Sequence, residues 1–170
     1  MLRNSGRNPP DLSVVRFKYV IHISRKTMID LARDEEIPES HAIISISDTN
    51  YELAEIKTYI EDKNVAFFQF QDVDDPHESG CISLDQAKKI VAFIEKNKDK
   101  DYIIVHCFIG VSRSGAVAKW INEEYGLDLA ALEHYKAYNR KVYDTLDAAI
   151  GKSMAAYYAA LEEEEKRRMG

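Results

Sequence analysis

The chain has 170 residues, enough for one domain with a substantial buried core. Its composition is ordinary for a globular protein, and a formal net charge of −6 argues against general binding to nucleic acid or anionic membranes. Two cysteines are too few for a disulfide framework, and no run of residues has the pattern of a signal peptide or a membrane span. We therefore expect a cytoplasmic protein that binds neither nucleic acid nor membrane.

The distribution of residue types predicts three regions. Residues 1–12, which contain glycine and two prolines, are expected to form a flexible N-terminal arm. Residues 13–161 are expected to form a single domain, and residues 162–170 a charged tail.

Apolar, β-branched runs alternate with runs of helical periodicity along the domain. Strands are predicted at residues 14–23, 41–47, 65–70 and 101–106. Helices are predicted at residues 26–35, after a cap at Asp48, Thr49 or Asn50, after a cap at Ser83, and at residues 115–125, 128–138 and 142–161. This alternation indicates an α/β fold with a central, mostly parallel sheet of four to five strands flanked by helices.

A cysteine and an arginine flank the loop between the fourth strand and the next helix. Cys107 ends the strand, and Arg113 follows six residues later at the start of the helix. The N–H groups of such a loop can converge on an anion, and Gly110 lets the chain turn without a steric penalty from a Cβ atom. The same surroundings favour a thiolate, and a guanidinium can hold two phosphate oxygens at once. The amides expected to bind the phosphate are those of Phe108, Ile109, Gly110, Val111, Ser112 and Arg113.

These residues resemble a known signature. His106-Cys107-x5-Arg113-Ser114 is similar to that of the protein tyrosine phosphatase superfamily, especially its compact dual-specificity-like members, and Gly110 and Ser112 also occupy signature positions. The resemblance implies a dual-specificity-phosphatase-like fold. It also implies hydrolysis of phosphomonoesters through a cysteinyl-phosphate, with no cofactor and no metal. His106 would then support the loop, and Ser114 would ease release of the thiolate.

The proton donor is expected on the acidic loop that follows the third strand. Asp72, Asp74 and Asp75 lie 35, 33 and 32 residues before Cys107 (107 minus each number), within the range the resemblance implies. Asp72 is favoured because it closely follows the strand and a proline comes four residues later. Asp75 and Asp74 remain alternative general acids.

The substrate is expected to be a phosphorylated protein or a small phosphomonoester. Phe108 and Ile109 should point outward, either making the pocket rim apolar or packing against a neighbouring loop. The loop has no lysine, which disfavours polyphosphorylated inositol lipids. Two other functions stay open: a phospho-binding module without turnover, and a phosphatase for a non-protein phosphate such as an RNA 5′ end.

The sequence supports less specific predictions for Cys81 and for a cluster of residues after the fourth strand and its helix. Cys81 could trap oxidised Cys107 as a reversible disulfide, although an ordinary loop thiol is the simpler interpretation. A polar and aromatic cluster could hold the signature loop or form a helix junction, and it comprises Tyr135, Tyr138, Asn139, Arg140 and Tyr143. The sequence indicates no oligomeric state.

Overall fold

The structure, a computed structural model, describes residues 18–75, 78–127, 137–152 and 165–169. Strands and helices alternate through most of it: β1 (Tyr19–Ser24), α1 (Arg25–Arg33), β2 (His41–Ser47), α2 (Asn50–Ile60), β3 (Val65–Gln69), α3 (Leu84–Lys96), β4 (Tyr102–Cys107), α4 (Arg113–Glu124) and α5 (Arg140–Ala149). Residues 165–169 are also helical and exposed. Among the described residues, no helix is both long enough and apolar enough to cross a bilayer.

The four strands form one parallel sheet in the order β1-β4-β2-β3. The prediction of an α/β fold with a mostly parallel sheet of four to five strands is therefore confirmed. Because all strands run in the same direction, their carboxyl ends lie at one edge of the sheet, where ligands bind in folds of this kind. The loop after Cys107 leaves the sheet at that edge, beside the ends of β1 and β2.

Helices cover both faces of the sheet, which explains why β2 and β4 are almost continuously buried. On one face, α1 and α2 pack around Met28, Ile43, Ile56, Ile60 and Ile104. On the other face, α3, α4 and α5 enclose a larger core that includes Ile44, Val105, Trp120 and Leu146. Alternation along β4 places the Cys107 side chain on this second face.

Helix starts follow the predicted capping residues. Ser24, Thr49 and Ser83 are the N-caps of α1, α2 and α3, and each side-chain oxygen accepts a hydrogen bond from the backbone N–H three residues later. Ser83 also forms a reciprocal capping box with Gln86. Thr49 is thus the cap among the three candidates at the start of α2.

The last predicted helix is too long. α5 ends at Ala149, and Gly151 has a positive φ of 87°, a conformation that commonly ends a helix. The apolar pattern of residues 142–161 did not reveal this end, because it continues past the glycine. Residues 128–136, 153–164 and the predicted arm at residues 1–12 lie outside the described residues.

Candidate active site

Cys107 lies at the base of the loop formed by residues 108–112, here called the phosphate loop. The cysteine is 1% exposed. Its Sγ lies 3.3 Å from the backbone N of Gly110, which donates to it, and 3.2 Å from Ser114 Oγ. An N–H and a hydroxyl in these positions can each donate a hydrogen bond to the sulfur. The structure therefore brings together the Cys107 sulfur and the Ser114 hydroxyl, and their catalytic roles remain predictions.

The phosphate loop is packed directly on the end of β1. Gly110 has a φ of 89°, and a Cβ atom on it would lie 2.4 Å from the backbone C of Ile23 and N of Ser24. Two hydrogen bonds fix the same contact: Arg25 N donates to Phe108 O at 3.1 Å, and His22 Nδ1 donates to Gly110 O at 2.8 Å. Glycine is required here because backbone occupies the space of a side chain.

Ser112 occupies the N-cap position of α4, but its side chain does not cap the helix. Its side chain makes no hydrogen bond to the helix backbone, and its Oγ donates to Asp72 Oδ1 at 2.8 Å. The first turn of α4 also has no acidic residue. The helix N-terminus is therefore not neutralised by its own side chains, and it remains available to an anion in the loop.

The guanidinium of Arg113 is hydrogen-bonded through Nη1, whereas its Nε has no partner among the described residues. The side chain is 3% exposed, and its Nη1 donates to Phe70 O at 2.8 Å and forms an ion pair with Asp48. Its buried Nε has no hydrogen-bond partner among the described residues. An unpaired buried N–H is costly unless a ligand satisfies it. The edge of the guanidinium formed by Nε and Nη2 is thus suited to bind two oxygens of an oxyanion.

Asp72 is the candidate acid for which the structure gives a contact with the phosphate loop. Its Oδ1 accepts hydrogen bonds from Ser112 Oγ and from Asn139 Nδ2, both at 2.8 Å. Asp74 and Asp75 are exposed on the same acid loop, defined here as residues 71–80. Pro76, whose position favoured Asp72 in the sequence, lies outside the described residues.

His106 is completely buried on the opposite face of β4 from Cys107. Its Nε2 lies 2.6 Å from Ser45 Oγ on the neighbouring strand β2. Burial lowers its pKa from 6.5 to about 4, with smaller contributions from the charges of Arg25 and Arg113. The imidazole is therefore neutral near pH 7. Its position fits a residue that supports the strand behind Cys107, and this role remains a prediction.

The rim of the site is apolar. Phe108, Ile109 and Val111 are 49%, 67% and 41% exposed. Beside Phe108 lies a cleft of about 550 Å³ along α1, lined by Arg25, Lys26, Ile29, Asp30, Arg33 and Phe108.

Three residues of the site were missed by sequence reasoning. Asp48 directly follows the buried strand β2 at the carboxyl edge of the sheet, a signal that could have identified it. His22 had no such signal, because its contact with Gly110 depends on the pairing of β1 with β4. Asn139 was assigned only to a polar and aromatic cluster. Tyr135 of that cluster lies outside the described residues, while Tyr138 and Tyr143 form an aromatic pair near Lys119.

Neither thiol is in a disulfide: Cys81 and Cys107 are both free. Within the described ranges, no group of three His, Cys, Asp or Glu side chains is placed to hold a metal ion.

Comparison with known proteins supports the fold. No protein-family model matches the sequence, and no curated protein sequence matches it significantly. The crystal structure of PTPMT1 superposes with a TM-score of 0.52 at 14% identity, covering 84% of this chain and 96% of that one. Tk-PTP in the active form gives 0.46 at 19% identity, covering 79% and 95%, and Cydia pomonella PTP-2 gives 0.46 at 18%, covering 76% and 84%. The likeness to PTPMT1 shows a shared α/β fold, in agreement with the predicted dual-specificity-phosphatase-like fold class.

Replacement of Gly110 by alanine should distort the phosphate loop. The new Cβ would meet backbone at 2.4 Å, so the loop or the end of β1 must move. Gly151→Ala is a matched control, because Gly151 has a similar φ of 87° but no atom within 4 Å of an added Cβ. Urea unfolding should show a loss for Gly110→Ala about 1–3 kcal/mol larger than for the control. Equal losses would contradict the packing argument.

Burial of neutral His106 should make folding less favourable in acid. Its pKa is about 4 in the folded protein and near 6.5 when exposed, so the unfolded chain takes up this proton first as the pH falls from 6.5 to 4. Stability should fall in this window by up to about 1.4 kcal/mol per pH unit from this residue. Urea unfolding at several pH values should show a shallower pH dependence for His106→Gln, and an unchanged slope would contradict the assignment.

Proposed function

We propose that this protein is a phosphomonoester hydrolase of the protein tyrosine and dual-specificity type, acting through a cysteinyl-phosphate. The observation that carries the proposal is the convergence of four groups at one loop. Cys107 Sγ lies at its base, and Ser114 Oγ lies beside the sulfur. Arg113 Nε, which has no partner among the described residues, lies at the helix start, and Asp72 Oδ1 accepts a hydrogen bond from Ser112 of the loop. The superfamily fold supports the same conclusion.

The substrate would accept hydrogen bonds from donors of the loop and of Arg113, whose Nε has no acceptor among the described residues. A phosphate dianion in the loop accepts from the open edge of Arg113 and from the amides at the start of α4. Asp48 and the carbonyl of Phe70 hold the other side of the guanidinium, so its orientation is set before the substrate arrives. The phosphorus atom is then held in front of Cys107 Sγ.

The reaction proceeds in two displacements. The Cys107 thiolate attacks phosphorus, the S–P bond forms, and the bond to the leaving oxygen breaks while Asp72 gives that oxygen its proton. A water molecule then attacks the cysteinyl-phosphate and transfers its proton to Asp72. The S–P bond breaks, phosphate leaves, and the Ser114 hydroxyl, 3.2 Å from the sulfur, donates to the departing thiolate.

The rim favours an apolar or aromatic group next to the phosphate. Phe108, Ile109 and Val111 expose apolar surface around the mouth of the site. The adjoining cleft along α1 provides space for substrate groups beyond the phosphate. A phosphorylated protein, or a small phosphomonoester with an aryl leaving group, fits this surface. The net charge of −6 weighs against an RNA 5′ end as the substrate.

Replacement of Cys107 by serine should abolish hydrolysis of p-nitrophenyl phosphate while leaving binding of tungstate, since the anion contacts remain. Cys81→Ser is the matched control and should keep wild-type turnover, because Cys81 is a free, half-buried thiol to which the mechanism assigns no step. Steady-state kinetics and calorimetric titration measure the two effects. Hydrolysis retained by Cys107→Ser would rule out the cysteinyl-phosphate. Tungstate binding without hydrolysis by the wild type would indicate a phospho-binding module.

The three acids of the acid loop can be separated by replacing each with asparagine. Asp72→Asn should lower kcat for phenyl phosphate about 100-fold or more, because the poor leaving group needs the proton. Asp74→Asn and Asp75→Asn should lower it less than about threefold, since both side chains are exposed and their charges are screened by solvent and salt. If one of these two variants lost most of its activity while Asp72→Asn stayed near wild type, that residue and not Asp72 would be the general acid.

A further inference from the structure

Asn139 joins the acid loop, the phosphate loop and the start of α5. The residue is 3% exposed. Its backbone N donates to Ser112 O at 2.9 Å, and its Oδ1 accepts from Val142 N at 3.0 Å as the N-cap of α5. Its Nδ2 donates to Asp72 Oδ1 at 2.8 Å and to Val73 O at 3.3 Å. Every polar group of this residue is therefore engaged, and two of its bonds reach the acid loop.

The hydrogen-bond partners fix the orientation of the Asn139 amide. If its O and N were exchanged, an acceptor would face the Asp72 carboxylate and a donor would face the N–H of Val142. Both contacts would be repulsive. The NH₂ group therefore points to the acid loop, and the cap of α5 uses only the carbonyl oxygen.

We propose that Asn139 is a positioning residue for proton transfer, which holds Asp72 over the phosphate loop. The inference rests on the proposed function. Asn139 Nδ2 and Ser112 Oγ both donate to Oδ1 of Asp72, so this oxygen is the acceptor side of the carboxyl group. The proton that passes to the leaving oxygen is carried by the other oxygen, Oδ2. Without the two donors the exposed carboxyl group would rotate among several conformers.

Capping α5 alone does not explain the arrangement. Aspartate and serine are as good as asparagine at an N-cap, yet neither has an NH₂ group. Asn139→Asp keeps the size and the capping oxygen, removes both donors and places a negative charge against Asp72. Asn139→Ser keeps a capping oxygen but is too short to reach Asp72. Both variants therefore separate the cap from the contact with the acid.

The test uses a series of aryl phosphates whose leaving phenols differ in acidity. A good leaving group needs little protonation, whereas phenol needs it fully. For Asn139→Asp, kcat/KM should fall about 10- to 100-fold for phenyl phosphate and less than about threefold for 2,4-dinitrophenyl phosphate. Asn139→Ser should show the same trend more weakly. Asp72→Asn should show the largest dependence on the leaving group.

Two further variants make the result specific. Because Asn139 acts through Asp72, the double variant Asp72→Asn/Asn139→Asp should lose no more than Asp72→Asn alone. Ser83→Ala removes the cap of α3 outside the site and should keep the wild-type dependence on the leaving group.

The outcomes distinguish this inference from the proposed function. If wild-type protein hydrolyses none of the esters, the proposed function fails. If Asp72→Asn behaves as expected but both Asn139 variants lose activity equally across the series, or lose it additively with Asp72→Asn, the positioning role is overturned. If Asp72→Asn keeps the wild-type dependence, Asp72 is not the acid and the inference falls with it.

Discussion

The contact between Gly110 and the end of β1 holds the phosphate loop in one shape. Backbone meets backbone there, and the bonds from His22 and Arg25 to the loop carbonyls fix both sides of the glycine. The N–H of the same glycine donates to Cys107 Sγ, so the packing of the loop also sets the surroundings of the sulfur. A site of this kind works only when its donors are in place before the ligand arrives. Here the backbone at the end of β1 holds the Gly110 N–H in position.

Arg113 adds an electrostatic constraint. A guanidinium that is 3% exposed needs compensation, and Asp48 with the Phe70 carbonyl supplies it on one side only. The buried Nε has no hydrogen-bond partner among the described residues, so this edge of the guanidinium keeps a donor that those residues do not satisfy. The Phe70 carbonyl lies just before the acid loop. Arg113 and Ser112 therefore tie both the start of this loop and its Asp72 to the phosphate loop.

The sequence predicted features whose residues are close together in the chain better than contacts between residues far apart in it. Cys107, Arg113 and Ser114 lie in one strand, loop and helix, so their spacing alone placed them correctly. His22, Asp48 and Asn139 meet the site across 88, 65 and 67 residues of sequence. Those contacts follow from strand order and register, which periodicity does not reveal. The choice among the three aspartates remains a prediction, and the contacts of Asp72 with Ser112 and Asn139 could not be read from the sequence. The end of α5 was missed because the apolar pattern continues through Gly151, where the backbone turns.

The position of β4 also has a consequence for how the chain folds. β1 pairs with β4, and Tyr19 lies opposite Tyr102, a separation of 83 residues (102 minus 19). Because β4 lies between β1 and β2, the sheet cannot close until the strand that ends in Cys107 is inserted. Closing such long connections is entropically costly and slow. β1 lies at the edge of the sheet and pairs with β4, so it can take its place only after β4 is inserted. Until then Gly110 lacks the β1 backbone against which it packs.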